Sequence, residues 1–172
     1  MGRPGTPVTI VVMGVSGCGK STVGRALASA LGVPFIEGDE LHPPRNVALM
    51  ASGTPLTDED RLDWLQAVAA ALAAAAGTGA VAACSALKRR YRDILRRGAP
   101  GLRFVHLTGD PALLEARLRR RSGHYMPASL LQSQIDILES PDPDENAITL
   151  DVAAGPAEVL ATVRQQLECT PA

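Results

Sequence analysis

Eight residues, Gly14-Val15-Ser16-Gly17-Cys18-Gly19-Lys20-Ser21, constrain this chain more than any other feature. They fit the P-loop pattern G-x-x-x-x-G-K-[ST], a glycine-rich turn whose successive backbone N–H groups point at phosphate oxygens. Such a loop works only between a strand and a helix, and the flanking residues supply both. Val8–Met13 is a nearly continuous apolar run rich in β-branched residues, as expected of a strand buried on both faces. Gly19–Leu31 has helical spacing and stops at Gly32, a C-terminal helix signal. In this setting Lys20 meets the outer phosphates as a point charge, and Ser21 offers its hydroxyl to Mg²⁺. The helix N-terminus adds partial positive charge. The expected cradle for a nucleoside triphosphate, ATP in the first place, is therefore Gly14, Val15, Ser16, Gly17, Cys18, Gly19, Lys20, Ser21 and Thr22. Cys18 reads as a small side chain filling a variable position of the loop.

Strands and helices alternate through the rest of the chain. Pro34–Glu37 reads as a second strand, Pro44–Ser52 and Asp58–Ala76 as helices, and Ala80–Cys84 as a third strand. Thr57 is the expected N-cap of the second of these helices, with Asp60 completing a weak capping box. Leu87–Arg97 reads as a basic helix, Arg103–Thr108 as a fourth strand, and Pro111 to about Arg121 and Pro127–Glu139 as helices. Ala147–Val152 is a fifth strand and Pro156–Glu168 a last helix. Five strands separated by helices predict an α/β fold, a five-stranded parallel sheet covered by helices on both faces. One domain is expected over 8–170 after a tail of residues 1–7. The 172 residues suffice to bury a core without disulfide or metal staples.

Charge and cysteine content exclude other classes. The formal net charge is -1, so no nucleic-acid partner held by bulk positive charge is expected. No apolar run approaches the roughly 20 residues of a membrane helix, so no membrane partner is expected. The three cysteines lack metal-ligand spacing, and no apolar leader precedes the first strand. Reduced thiols in a cytoplasmic protein are the expectation.

A P-loop alone does not say where the phosphate goes. An N-K-x-D base-reading run is absent, and the third strand ends at Cys84-Ser85 instead of the usual Asp. The second strand, however, runs straight into Gly38-Asp39. Asp39 is the expected group to orient an acceptor hydroxyl and take its proton, and it also holds Mg²⁺ through water. Arg117 and Arg121 share a helical face and run into Ser122-Gly123-His124, so the segment from about 121 to 127 is expected to be a mobile lid carrying arginine to the phosphates. Arg45 and Arg61 can fork onto a carboxylate or pair with the nearby Asp58, Glu59, Asp60 or Asp63. Lys88 and Arg92 lie four apart beyond the third strand, at the sheet edge where ligands bind. His42 can hydrogen-bond a polyol. Trp64 and Leu65 read as core.

These segments resemble the P-loop gluconate kinases, which share the fold of shikimate and nucleoside-monophosphate kinases. The resemblance is carried by Gly38-Asp39-Glu40-Leu41-His42-Pro43 with Asn46, then Met50-Ala51-Ser52-Gly53, Asp60-Arg61 and Trp64-Leu65. It continues through Cys84-Ser85-Ala86-Leu87-Lys88, Tyr91-Arg92-Asp93, Gly109-Asp110 and Arg121-Ser122-Gly123-His124. The departures are Cys18 for serine and Tyr125 for phenylalanine. It implies phosphorylation of D-gluconate to 6-phosphogluconate by ATP with Mg²⁺, in a cytoplasmic homodimer. Lys20, Asp39 and Arg121 would be catalytic. Asp39, His42, Arg45, Arg61, Ser85, Lys88, Arg92 and His124 would hold the acceptor, with Arg45 and Arg92 ranked first for its carboxylate. A shikimate-kinase-like acceptor and a non-catalytic nucleotide-binding regulator are the alternatives.

Overall fold

The computed structural model describes residues 7–121 and 129–169. Most of the expected lid, with His124, Tyr125 and the first two residues of the helix expected from Pro127, lies outside the described residues. Five parallel strands form one sheet: β1 (Thr9–Met13), β2 (Phe35–Glu37), β3 (Ala80–Ala83), β4 (Arg103–Thr108) and β5 (Ile148–Asp151). Their order across the sheet is β2-β3-β1-β4-β5. The central strand explains the layering. Ile10, Val11, Val12 and Met13 are all 0% exposed, and successive strand residues face opposite sides, so both faces must be covered. Helix α1 (Lys20–Leu31) packs against α7 (Pro156–Cys169), while α3 (Asp58–Ala74) packs against α4 (Arg89–Gly98). The remaining helices are α2 (Pro44–Ala51), α5 (Pro111–Arg120) and α6 (Leu130–Ile137).

Local chemistry sets the helix ends. The Thr57 hydroxyl accepts from the Asp60 N–H at 3.1 Å and the Asp60 carboxylate accepts from the Thr57 N–H at 2.9 Å, a complete capping box. Helix α4 starts two residues later than its sequence suggests. Ala86 takes a left-handed φ of 45° and Lys88 is an extended N-cap. The first free amide, Arg89 N–H, is then capped by the Glu139 carboxylate at 2.8 Å, from fifty residues away. Three short 3₁₀ turns escape sequence reading, and the one that matters for the site, over Gly38–Leu41, follows β2.

The core contains two unusual polar groups. Arg92 is 0% exposed and donates from Nε and Nη2 to the two oxygens of Glu145, at 2.8 and 2.9 Å. Burial alone would raise the Glu145 carboxyl. The hydrogen bonds from Arg92 and Arg96 outweigh it and lower it to about 2. His106 on β4 is 1% exposed, and neither ring nitrogen has a partner among the described residues. Burial, reinforced by the Arg92 charge, lowers its pKa to about 4. The unfolded chain, with histidine near 6.5, therefore takes the proton first. The stability that His106 withholds grows as pH falls from about 6.5 to 4 and levels off below. His106→Leu should raise unfolding stability by about 1–2 kcal/mol at neutral pH, because it removes two unsatisfied polar atoms. It should also flatten the acid slope in that window. Urea unfolding at pH 7 and pH 5 reads both, and a destabilised variant would mean that the ring has partners in solution.

Candidate active site

The carboxyl ends of β1, β2 and β3 open onto one cleft. Its nucleotide-facing wall is the loop after β1. Gly14 sits at φ 143°, and a Cβ there would lie 2.6 Å from the Leu107 carbonyl oxygen and 2.8 Å from Cys18 Sγ. Only glycine lets the loop pass so close to β4. The Gly14 N–H donates to Ser85 O at 3.2 Å, which ties the loop to the end of β3. Helix α1 begins with Gly19 as N-cap, with no side-chain cap and no acid in its first turn, so its leading amides and dipole are left for an anion. Lys20 folds back over the loop, its Nζ donating to Val15 O at 3.1 Å. Cys18 is buried beneath the loop, in keeping with a packing role.

Gln134 had no sequence signal. It comes from α6, and its side-chain carbonyl accepts from the Ser16 N–H at 2.8 Å. No local motif announces a contact spanning 118 residues. Cys84 occupies the strand end where an acid is usual, and burial pushes its thiol up to about 12, so it is inert as a thiolate.

The opposite wall is built from a short contiguous stretch. Gly38 packs so tightly on β3 that a Cβ would lie 2.2 Å from the Ala83 carbonyl oxygen. The Trp64 indole N–H donates to Gly38 O at 2.7 Å. These two contacts fix the 3₁₀ turn that carries Asp39 into the cleft, where Lys20 and Ser21 also lie. His42 stacks on Trp64, ring centroids 4.1 Å apart. Trp64 is thus both the buried residue its sequence context predicts and part of the cleft wall. Burial lowers the His42 pKa to about 4; the Asp39 charge opposes this and the Arg61 charge adds to it, so the ring is neutral near pH 7.

The structure sorts the four carboxylate-clamp candidates, and it corrects the ranking that put Arg45 and Arg92 first. Arg92 is sealed in the core by Glu145 and by the carbonyls of Ala86 and Leu87, so it has no reach into the cleft. Arg45 has a side chain 76% exposed and pairs with Asp60 at 3.0 Å, outside the cleft lining. Lys88 pairs with Asp58 at 3.0 Å, a carboxylate shared with Arg90 and also outside the lining. Arg61 alone of the four lines the cleft. Its Nη1 donates to the Tyr91 hydroxyl at 3.0 Å, and that hydroxyl donates to Asp58. Helical spacing suggested a basic face; ion pairs to residues 15 to 53 positions away decide which cations stay available. Ser85 lines the cleft as expected, and His124 lies outside the described residues.

A second, roomier cleft adjoins the first behind the loop. Thr22, Arg117, Val152, Pro156 and Val159 line it, and Arg121 lines both clefts. The Arg117 Nη2 donates to Val152 O at 3.2 Å, which places this arginine beside the turn after β5. The apolar lining suits a flat nucleobase. Ser21 and Asp39, a hydroxyl and a carboxylate on one cleft, are hard oxygen donors of the kind Mg²⁺ prefers.

Parallel sheet order, phosphate loop and a facing acid define a P-loop kinase fold with a small acceptor cleft. An AAA-domain family model matches residues 9–141. The chain is 45% identical over 161 residues to the thermosensitive gluconokinase of Escherichia coli (strain K12), covering 91% of this chain and 86% of that one. It is 51% identical over 156 residues to the gluconokinase of Gluconobacter oxydans (strain 621H), covering 90% and 88%. The crystal structure of a gluconokinase from Sinorhizobium meliloti 1021 superposes with a TM-score of 0.83 at 49% identity, covering 95% of this chain and 97% of that one. The chain belongs to the gluconokinase family.

Proposed function

We propose that this chain phosphorylates D-gluconate on its 6-hydroxyl at the expense of ATP. The observation that carries the reading is the meeting of Lys20, Ser21 and Asp39 on one cleft whose far wall holds Arg61 and His42. The loop amides and the α1 N-terminus hold the β- and γ-phosphates. Lys20 and Arg121, with Arg117 behind them, meet the charge that spreads over the γ-phosphoryl oxygens as it leaves ADP. Asp39 accepts the proton of the attacking 6-hydroxyl. Ser21, and Asp39 through water, would hold Mg²⁺, which would neutralise phosphate charge. Arg61 binds the carboxylate of gluconate, its position fixed by Tyr91 and Asp58. The base lies in the second cleft against Val152, Pro156 and Val159. One domain over 8–170 carries all of this. Among the described residues no helix is long and apolar enough to cross a membrane. A cytoplasmic homodimer, which the sequence resemblance implies, completes the reading and is tested by sedimentation and fractionation.

A coupled ADP-release assay over gluconate, glucose and shikimate at fixed MgATP tests the acceptor. Glucose offers a primary hydroxyl but no carboxylate for Arg61 to meet, so it should fall behind gluconate by two orders of magnitude or more. Comparable values for the two would defeat the clamp, and a preference for shikimate would defeat the acceptor. Arg61→Ala should raise the gluconate KM about 10- to 100-fold, the worth of a charge-assisted hydrogen bond, with the ATP KM unchanged. An unmoved gluconate KM would send the carboxylate to another cation.

A further inference from the structure

Asn46 has no assigned part in the site, yet it is 2% exposed and makes two contacts with one nitrogen. Its Nδ2 lies 2.8 Å from Asp60 O and 3.3 Å from His42 Nδ1. The first contact orients the amide, because a backbone carbonyl only accepts and so must face the NH₂ end. The second N–H of that group is then aimed at His42 Nδ1. A nitrogen that receives a hydrogen bond carries no proton, so a neutral ring must hold its proton on Nε2. Nε2 has no partner among the described residues, while the ring stacks on Trp64 and lines the acceptor cleft.

We infer that Asn46 is a positioning residue that locks His42 in the Nε2–H tautomer, so that His42 presents a hydrogen-bond donor, and no base, to a hydroxyl of the acceptor. The assignment divides labour in the cleft. A polyol hydroxyl needs an acceptor for its proton and a donor for its oxygen. Asp39 supplies the first at the reacting hydroxyl, and His42 supplies the second at another hydroxyl of the chain. With its Nε2 lone pair replaced by N–H, His42 cannot take the proton of the reacting group. The inference rests on gluconate being the acceptor, although the tautomer itself does not.

Ring ¹⁵N and ¹³C shifts of His42, recorded on the full chain at pH 7.5 and assigned by their loss in His42→Gln, read the tautomer without substrate. The expected spectrum has a protonated Nε2 and an unprotonated Nδ1; a protonated Nδ1 overturns the inference. Asn46→Ala should let both tautomers appear and raise the gluconate KM about tenfold, the worth of one neutral hydrogen bond, with kcat and the ATP KM little changed. A residue that merely braced α2 on α3 would lower the unfolding midpoint and leave the spectrum and KM as they are, which would also overturn it. His42→Gln, whose amide N–H can replace Nε2–H, should keep gluconate KM within about threefold, and His42→Asn should not. Deoxygluconates locate the hydroxyl: the analogue lacking it should lose affinity in the wild type and lose nothing further in Asn46→Ala. Failure of gluconate as substrate together with an Nε2–H spectrum would sink the acceptor and leave the tautomer standing.

Discussion

Lys20→Met should lower turnover by about a hundredfold or more while the urea unfolding midpoint stays where it is. The side chain is half-buried at the start of α1, and its ammonium touches only the loop, through Val15 O. It carries no share of the core, so its removal costs the fold little. Its work comes with the triphosphate. A fixed positive charge beside the γ-phosphoryl group stabilises the transition state by roughly 3–5 kcal/mol, by analogy with single oxyanion donors and arginine fingers. Methionine keeps the length and apolar stem and deletes only the charge. Single-turnover phosphorylation of gluconate, with calorimetric nucleotide binding alongside, separates the chemical loss from an affinity loss. A variant retaining more than about a tenth of wild-type turnover would remove Lys20 from the reaction.

Asp39→Asn should cut kcat about 10²- to 10⁴-fold, the range for a positioned general base, with little change in ATP affinity. The substitution is nearly isosteric. The turn that carries it is held by backbone contacts: Gly38 against β3, the Trp64 indole on Gly38 O, and the His42 N–H on Asp39 O. The amide therefore stands where the carboxylate stood but cannot take a proton from the hydroxyl. Gluconate KM is the control, since a geometric fault would move it together with kcat. An unchanged kcat would assign Asp39 to the turn rather than to the reaction.

The phosphate loop and Asp39 were legible because each is a local pattern with a local cause. A strand, a glycine turn, Lys-Ser and a helix lie within two dozen residues, and an acid at a strand end needs no knowledge of distant chain. The clamp was not legible for the opposite reason. Arg45, Arg61, Lys88 and Arg92 differ little in sequence context, and what separates them is the whereabouts of Asp60, Tyr91, Asp58 and Glu145. Arg92 in particular shares a helical spacing with Lys88 that points to the ligand edge of the sheet, yet it is sealed by a carboxylate 53 residues away. The same holds for the start of α4, set by the remote Glu139, and for Gln134 on the loop amide. Asn46 was visible as part of a familiar segment, but its meaning needed the Asp60 carbonyl to orient its amide.

Asp39, His42, Met50, Leu56, Arg61 and Trp64 form the acceptor wall, and all six fall within residues 39–64. The phosphate loop, α5 and the turn before α7 line the second cleft, the one proposed for the nucleotide, from elsewhere in the chain. Most of the proposed acceptor wall thus lies on one stretch of chain, joined to the sheet at β2 and at the α3–α4 contact, with Ser85 added from the end of β3. Exchange of this stretch between sugar-acid kinases should shift acceptor preference more than ATP affinity, provided Asp39 is kept and Tyr91, which holds Arg61 from α4, is carried along.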